Sequence, residues 1–187
     1  MFFFSSICDI LKTSPVVNGG NNYLQGVASM IENLKVRDII GKREKIFSVD
    51  ADDTTDIAAL KIRNFKVRTI GVIKNGKLVG VIGQSDFSNK VVAMSKRPSD
   101  LTISEIMSTD LVTVGLDSSF FDCVRLLDTH HISHLVILDE KGNYYGMLSW
   151  WDLQQKLVEE LKNQLELLQE YAFGPHRNVL LDQIIRK

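Results

Sequence analysis

An internal repeat constrains this chain more than any other feature. Val36-Arg37-Asp38-Ile39-Ile40 is matched by Ile103-Ser104-Glu105-Ile106-Met107, and Ser48-Val49 by Thr113-Val114. Asp52 is matched by Asp117, Gly76 by Gly142, Gly80 by Gly146 and Asp86 by Asp152, at offsets of 65 to 67 residues. Six matches in chain order at one period mark a duplicated unit whose loops have gained or lost single residues. Each copy alone leaves an apolar flank open, so the two must pack together to close it.

Each copy reads as β-α-β-β-α. A short strand comes first, at Ile46–Val49 or Leu111–Val114. Capping residues follow: Asp50, Asp52, Asp53 and Thr54 in copy one, Asp117, Ser118 and Ser119 in copy two. The next helix shows Ile57 and Leu60 as its apolar face in copy one, and Phe120, Val124 and Leu127 in copy two. Apolar runs at Thr69–Ile73 and Leu135–Leu138 predict second strands. Turns at Lys74-Asn75-Gly76-Lys77 and Asp139–Asn143 lead to return strands at Leu78–Ile82 and Tyr144–Leu148. Asn-Gly is a strong hairpin signal because both residues tolerate positive φ. A second helix opens near Ser85 or Trp150. The expected divisions are an N-terminal extension over 1–34, repeats over 35–100 and 101–160, and a C-terminal helical extension over 161–187.

The formal net charge of −1 on 187 residues excludes the basic face of a polymeric nucleic-acid binder. No apolar run reaches the roughly 20 residues of a membrane span. Met1-Phe2-Phe3-Phe4 lacks the basic flank of a signal peptide, so a cytoplasmic location is expected. Of the two cysteines, Cys8 and Cys123, the latter sits in an apolar helical pattern that predicts a buried thiol.

The end of the third strand carries the chemistry. Copy two reads Gly146-Met147-Leu148-Ser149-Trp150-Trp151-Asp152, and copy one Gly80-Val81-Ile82-Gly83-Gln84-Ser85-Asp86. A hydroxyl three residues before a carboxylate, at a strand-to-helix junction, suits a ribose diol and a phosphate at the helix start. The same spacing equally suits a helix cap, and spacing alone leaves both open. Gly83 removes the hydroxyl from copy one.

These motifs, in order and repeated over Leu34 to Glu160, resemble the CBS domain pair, or Bateman module. The resemblance implies an α/β (α+β) fold of tandem βαββα repeats related by a pseudo-twofold axis, followed by a long helix. It implies a non-catalytic sensor that binds an adenine nucleotide or adenosyl ligand (AMP, ADP, ATP or S-adenosylmethionine) between the repeats, with no other cofactor. Ser149 and Asp152, and less completely Gly83 and Asp86, would hold the sugar. Ile46, Phe47, Leu111 and Val112 would flank the base. Arg68 and His134 would stand before the second strand, facing phosphate. A homodimer and an unidentified effector protein are the implied partners. The alternatives are a ligand-independent dimerisation or docking module and, more remotely, a nucleotide hydrolase.

Three other signals point elsewhere. His130, His131 and His134 sit where a helix should end and lack a completing ligand set, so no metal is expected. Ser149 lacks a nucleophile elbow, so no catalytic residue is expected. Trp150 and Trp151 suit a packing surface or dimer face. Leu153, Leu157, Leu161, Leu165 and Leu168 form a helical stripe of about 30 Å that ends by Gly174-Pro175. It is the surface of the docking alternative. A short helix is expected over His176–Lys187, and a loop at Asn18–Asn22.

Overall fold

The computed structural model describes residue 26 and residues 29–41 and 46–173. Cys8, the Asn18–Asn22 loop and the His176–Lys187 helix lie outside the described residues. The chain divides into two units, Lys35–Leu153 and a second formed by the residues on either side of it.

In the first unit α1 (Val36–Ile40) leads to β1 (Ser48–Asp50), α2 (Thr55–Phe65), β2 (Thr69–Lys74) and β3 (Lys77–Gly83). Then α3 (Gln84–Asp86) runs on as a π-helical turn over Phe87–Val92. Copy two repeats the plan with α4 (Ile103–Ile106), β4 (Thr113–Gly115), α5 (Phe120–Thr129), β5 (His134–Leu138), β6 (Tyr144–Ser149) and α6 (Trp150–Phe173). There are two three-stranded sheets, β1-β2-β3 and β4-β5-β6. In each, the first pair is parallel and the second antiparallel. A parallel pair needs a crossover, and α2 and α5 supply it.

The first strands begin two residues later than expected, which leaves Ile46 and Phe47, and Leu111 and Val112, ahead of them, with the Val112 carbonyl still accepting from the Val136 N–H at 3.0 Å. The β2–β3 turn follows its sequence signal: Asn75 and Gly76 both have positive φ, at 51° and 76°. Lys74 pairs with Lys77 across it. Ser119 caps α5 by accepting from the Asp122 N–H at 3.1 Å.

One helix face differs from expectation. In α2 the buried side chains are Thr55, Ala58 and Ile62, while Ile57 and Leu60 are exposed. The small Ala58 and the hydroxyl of Thr55, which donates to the Pro98 carbonyl at 2.6 Å, let the helix lie close against the linker between copies. In α5 the face is as expected, with Phe120, Val124 and Leu127 buried beside Cys123. Burial pushes the Cys123 thiol up to about 12, so it remains a neutral apolar filler.

The leading helices are exchanged between copies. The N–H groups of Ile103 and Ser104 donate to the carbonyls of Asp53 and Ala51 in copy one. Correspondingly, Val36 and Arg37 donate to Ser118 and Leu116 in copy two. Leu101, Ile103 and Ile106 therefore complete the core of copy one, together with Val49, Ile70 and Ile82. The copies are further joined by a bridge between Val81 and Ser108 and by Tyr144. The Tyr144 hydroxyl accepts from the Gly71 N–H and donates to the Phe47 carbonyl. Gly71 has to be glycine, because a Cβ there would sit 2.6 Å from the Tyr144 ring.

Helix α6 spans 24 residues. Its stripe is graded: Leu153 is buried, whereas Leu161 and Leu165 are exposed. Within the second unit Gln164 Nε2 donates to Met30 Sδ at 3.1 Å.

Candidate functional site

A cavity of about 260 Å³ opens in the first unit, with walls from both copies. Copy one supplies Thr69 from the start of β2, Val81 and Gly83 from β3, and Ser85 and Asp86 from α3. Copy two supplies Ser108, Asp110, Leu111 and Val112, the residues His131 to His134 that lead into β5, and Val136 and Met147 behind them. The site lies between repeats because β3 of copy one is bridged, from Val81 to Ser108, to the segment that leads into β4 of copy two.

Five residues expected at a ligand meet here: Gly83, Asp86, Leu111, Val112 and His134. The other five are not in its walls. Ile46 is exposed, and Phe47 stacks on Phe65 with ring centroids 4.4 Å apart. The Arg68 carbonyl accepts from the Gln84 N–H at 3.1 Å, which fixes the start of α3. Ser149 and Asp152 close a local ring: the Asp152 carboxylate accepts from the Ser149 N–H at 2.7 Å and from its hydroxyl at 2.6 Å. The Asp152 N–H in turn donates to the Ser149 hydroxyl at 3.1 Å. That is the geometry of a helix cap.

Asp86 has different company. One carboxylate oxygen accepts from the Gly83 N–H at 2.9 Å. The other meets Lys90 Nζ at 2.8 Å and accepts from the Ser108 hydroxyl of copy two at 3.2 Å. Lys90 also donates to the Ile106 carbonyl at 2.6 Å. The π-helical turn brings Lys90 to this position, four residues after Asp86, where the charge of a nearly buried carboxylate is met.

Sheet register corrects one pairing drawn from the sequence. Thr69 faces Gly83 and His134 faces Ser149. Thr69, not Arg68, is therefore the counterpart of His134, and the counterpart of Arg68 is Ser133. A one-residue slip of this kind is invisible in an apolar run without a punctuating residue. Thr69 and His134 meet, with Oγ1 and Nδ1 3.3 Å apart, and Ser133 Oγ lies 2.9 Å from the same nitrogen. Burial holds the His134 imidazole below its ordinary value, partly countered by Asp152 and reinforced by Arg68. His134 thus enters the site as a neutral hydrogen-bonding ring.

Sequence reasoning missed Thr69, Ser108, Asp110 and Ser133 as wall residues. None belongs to the repeated signature, and their convergence depends on how the copies pack. The lining carries two carboxylates, Asp86 and Asp110, and no lysine or arginine. Among the described residues no three His, Cys, Asp or Glu side chains converge as a metal site, and no helix is long and apolar enough to cross a membrane.

The chain is similar to known proteins over the same region. It is 27% identical over 128 residues to an uncharacterized protein of Methanocaldococcus jannaschii, a match spanning 68% of this chain but only 40% of that protein. The solved CBS domain NE2398 superposes with a TM-score of 0.63 at 28% identity, covering 67% of this chain and 98% of that one. The CBS domain pair of protein MJ0100, solved with 5′-methylthioadenosine and S-adenosyl-L-methionine, superposes at 0.60 with 21% identity, covering 68% and 98%. The CBS domain model matches residues 36–93 and 103–159. With two matched repeats, two βαββα units and the exchanged leading helices that join them, the chain belongs to the CBS domain family as a regulatory CBS pair.

Proposed function

We propose that this protein is a non-catalytic sensor that takes an adenosyl ligand in the cleft lined by Gly83, Asp86, Leu111, Val112 and His134. One observation carries the reading: these residues, drawn from both copies, surround a single cavity. Leu111 and Val112 offer apolar contact for a base, and Asp86 offers carboxylate oxygens for ribose hydroxyls. The volume stands just below the ~300 Å³ at which small-ligand pockets begin, which favours a nucleoside or monophosphate over a triphosphate. With Asp86 already met by Lys90, the Asp110 carboxylate and a neutral histidine in the walls, where no lysine or arginine stands, narrow this further to an uncharged or cationic substituent at the sugar's 5′ position. Binding of 5′-methylthioadenosine and S-adenosyl-L-methionine by the MJ0100 pair supports this class of ligand. The ligand touches both copies, so it favours one relative placement of them by its differential affinity.

The test is thermal unfolding with AMP, ADP, ATP, S-adenosylmethionine and 5′-methylthioadenosine. A ligand at 100 times its Kd adds about 2.7 kcal/mol, or roughly 5–10 °C at this length. The expected result is a shift with an adenosyl compound that is lost in Asp86→Asn and kept in Asp152→Asn. No shift with any of the five refutes the reading. The docking alternative is favoured by the exposed Leu161 and Leu165 on α6. It predicts that Leu161→Asp lowers the sedimentation coefficient by dissociating a dimer.

A further inference from the structure

Gly83 stands where the second copy has Ser149, and the first copy's signature is short of a hydroxyl. The space beside Gly83 is nevertheless occupied. A Cβ on residue 83 would lie 2.8 Å from Thr69 Oγ1 and 3.2 Å from the Arg68 carbonyl oxygen. Carbon and oxygen not bonded to each other do not approach to 2.8 Å without displacement. Thr69 is the direct cross-strand partner of Gly83, and it lines the cavity with Asp86. Its hydroxyl lies 3.3 Å from His134 Nδ1, long for a bond involving an O–H group. In copy two the corresponding space is filled differently: Ser149 directs its hydroxyl to the carboxylate and N–H of Asp152.

We infer that Thr69 is the ligand-contacting hydroxyl of the first copy, moved from the signature position to the neighbouring strand, and that Gly83 is bare so that this hydroxyl can stand there. Thr69 contacts a sugar hydroxyl of an adenosyl ligand held beside Asp86. The inference rests on the adenosyl reading above. It has a counter-intuitive consequence: restoring the family's serine at position 83 weakens binding. The added Cβ turns the Thr69 side chain about χ1 and takes its hydroxyl out of the cavity.

The experiment is calorimetric titration of S-adenosylmethionine, 5′-methylthioadenosine and AMP into the full chain and four variants. Thr69→Ala should weaken binding about 3- to 10-fold, the effect of one lost hydrogen bond. Thr69→Ser should bind like the parent. Gly83→Ser should weaken binding to a similar degree, and the Thr69→Ala/Gly83→Ser double variant should bind more tightly than either single change, because the serine then has room to replace the hydroxyl. Unfolding curves without ligand establish that each variant is folded. Should Gly83→Ser fail to fold, the Thr69→Ala and Thr69→Ser pair decides. Unchanged affinity in Thr69→Ala, or a double variant no better than its worse parent, overturns the assignment. If the parent binds none of the three probes, the adenosyl reading falls and the assignment with it. If the parent binds and Thr69→Ala binds equally, the assignment alone falls.

Discussion

In copy one the signature aspartate, Asp86, reaches Gly83 N–H, Lys90 and the Ser108 hydroxyl of the other copy, and it lines a cavity. In copy two Asp152 takes both the N–H and the hydroxyl of Ser149, and neither residue lines that cavity. The copy with the complete motif holds its carboxylate in a helix cap, and the copy with the incomplete motif turns its carboxylate toward a cleft. A serine three residues back competes for the aspartate as a local hydrogen-bond donor. Both Ser149 contacts fall on one Asp152 oxygen, as the Gly83 N–H falls on one oxygen of Asp86, and the other oxygen of Asp86 meets Lys90 and the Ser108 hydroxyl of the second copy. The complete signature is therefore not what marks this cavity; the residues around Asp86 do.

The largest effect that tests this comparison concerns the cores rather than the clefts. Ile82→Ala and Leu148→Ala each remove a fully buried side chain at matching positions and should each cost about 2–5 kcal/mol in urea unfolding. Because α1 and α4 are exchanged, both variants should unfold in one transition over Lys35–Leu153. Two resolved transitions would show that the copies are independent and would break the comparison.

A smaller difference should separate the aspartates. Asp86→Ala leaves Lys90 and a buried N–H without their partner and should cost about 1–3 kcal/mol. Asp152→Ala removes a helix cap and should cost about 0.5–2 kcal/mol. Chemical denaturation of both variants checks the order, and a larger loss at Asp152 would reverse the roles assigned here.

The smallest effect is in acid. Burial, the main cause, holds His134 below its unfolded value, so the folded state favours the neutral ring. Its contribution is complete above the unfolded value of about 6.5 and is lost as pH falls from there toward the folded value. The melting temperature should therefore drop between pH 7 and 5, and less so in His134→Gln. An identical drop in that variant would remove His134 from the account.

Much of this architecture was legible in the chain. The period placed both βαββα units, and Asn75-Gly76 fixed a hairpin, because turn chemistry and strand alternation are local. Asp86, Gly83, Leu111, Val112 and His134 were named from motif position and do converge. The α2 face was misread because Ile57 and Leu60 are the larger residues, yet the helix lies on the small Ala58 and on Thr55 where the linker approaches. Arg68 does stand before β2, but the counterpart of His134 is its neighbour Thr69, a match set by register that an apolar run does not announce.

The sequence by itself determined the duplication, the order of elements and the residue types available for ligand contact, since each rests on spacing within one copy. Only the tertiary structure decided that each leading helix docks on the other copy, that a cavity opens beside Asp86, and that Thr69 fills the space left by Gly83. Those outcomes depend on groups tens of residues apart in the chain. Whether they meet is set by packing and cross-strand register, which no local pattern encodes.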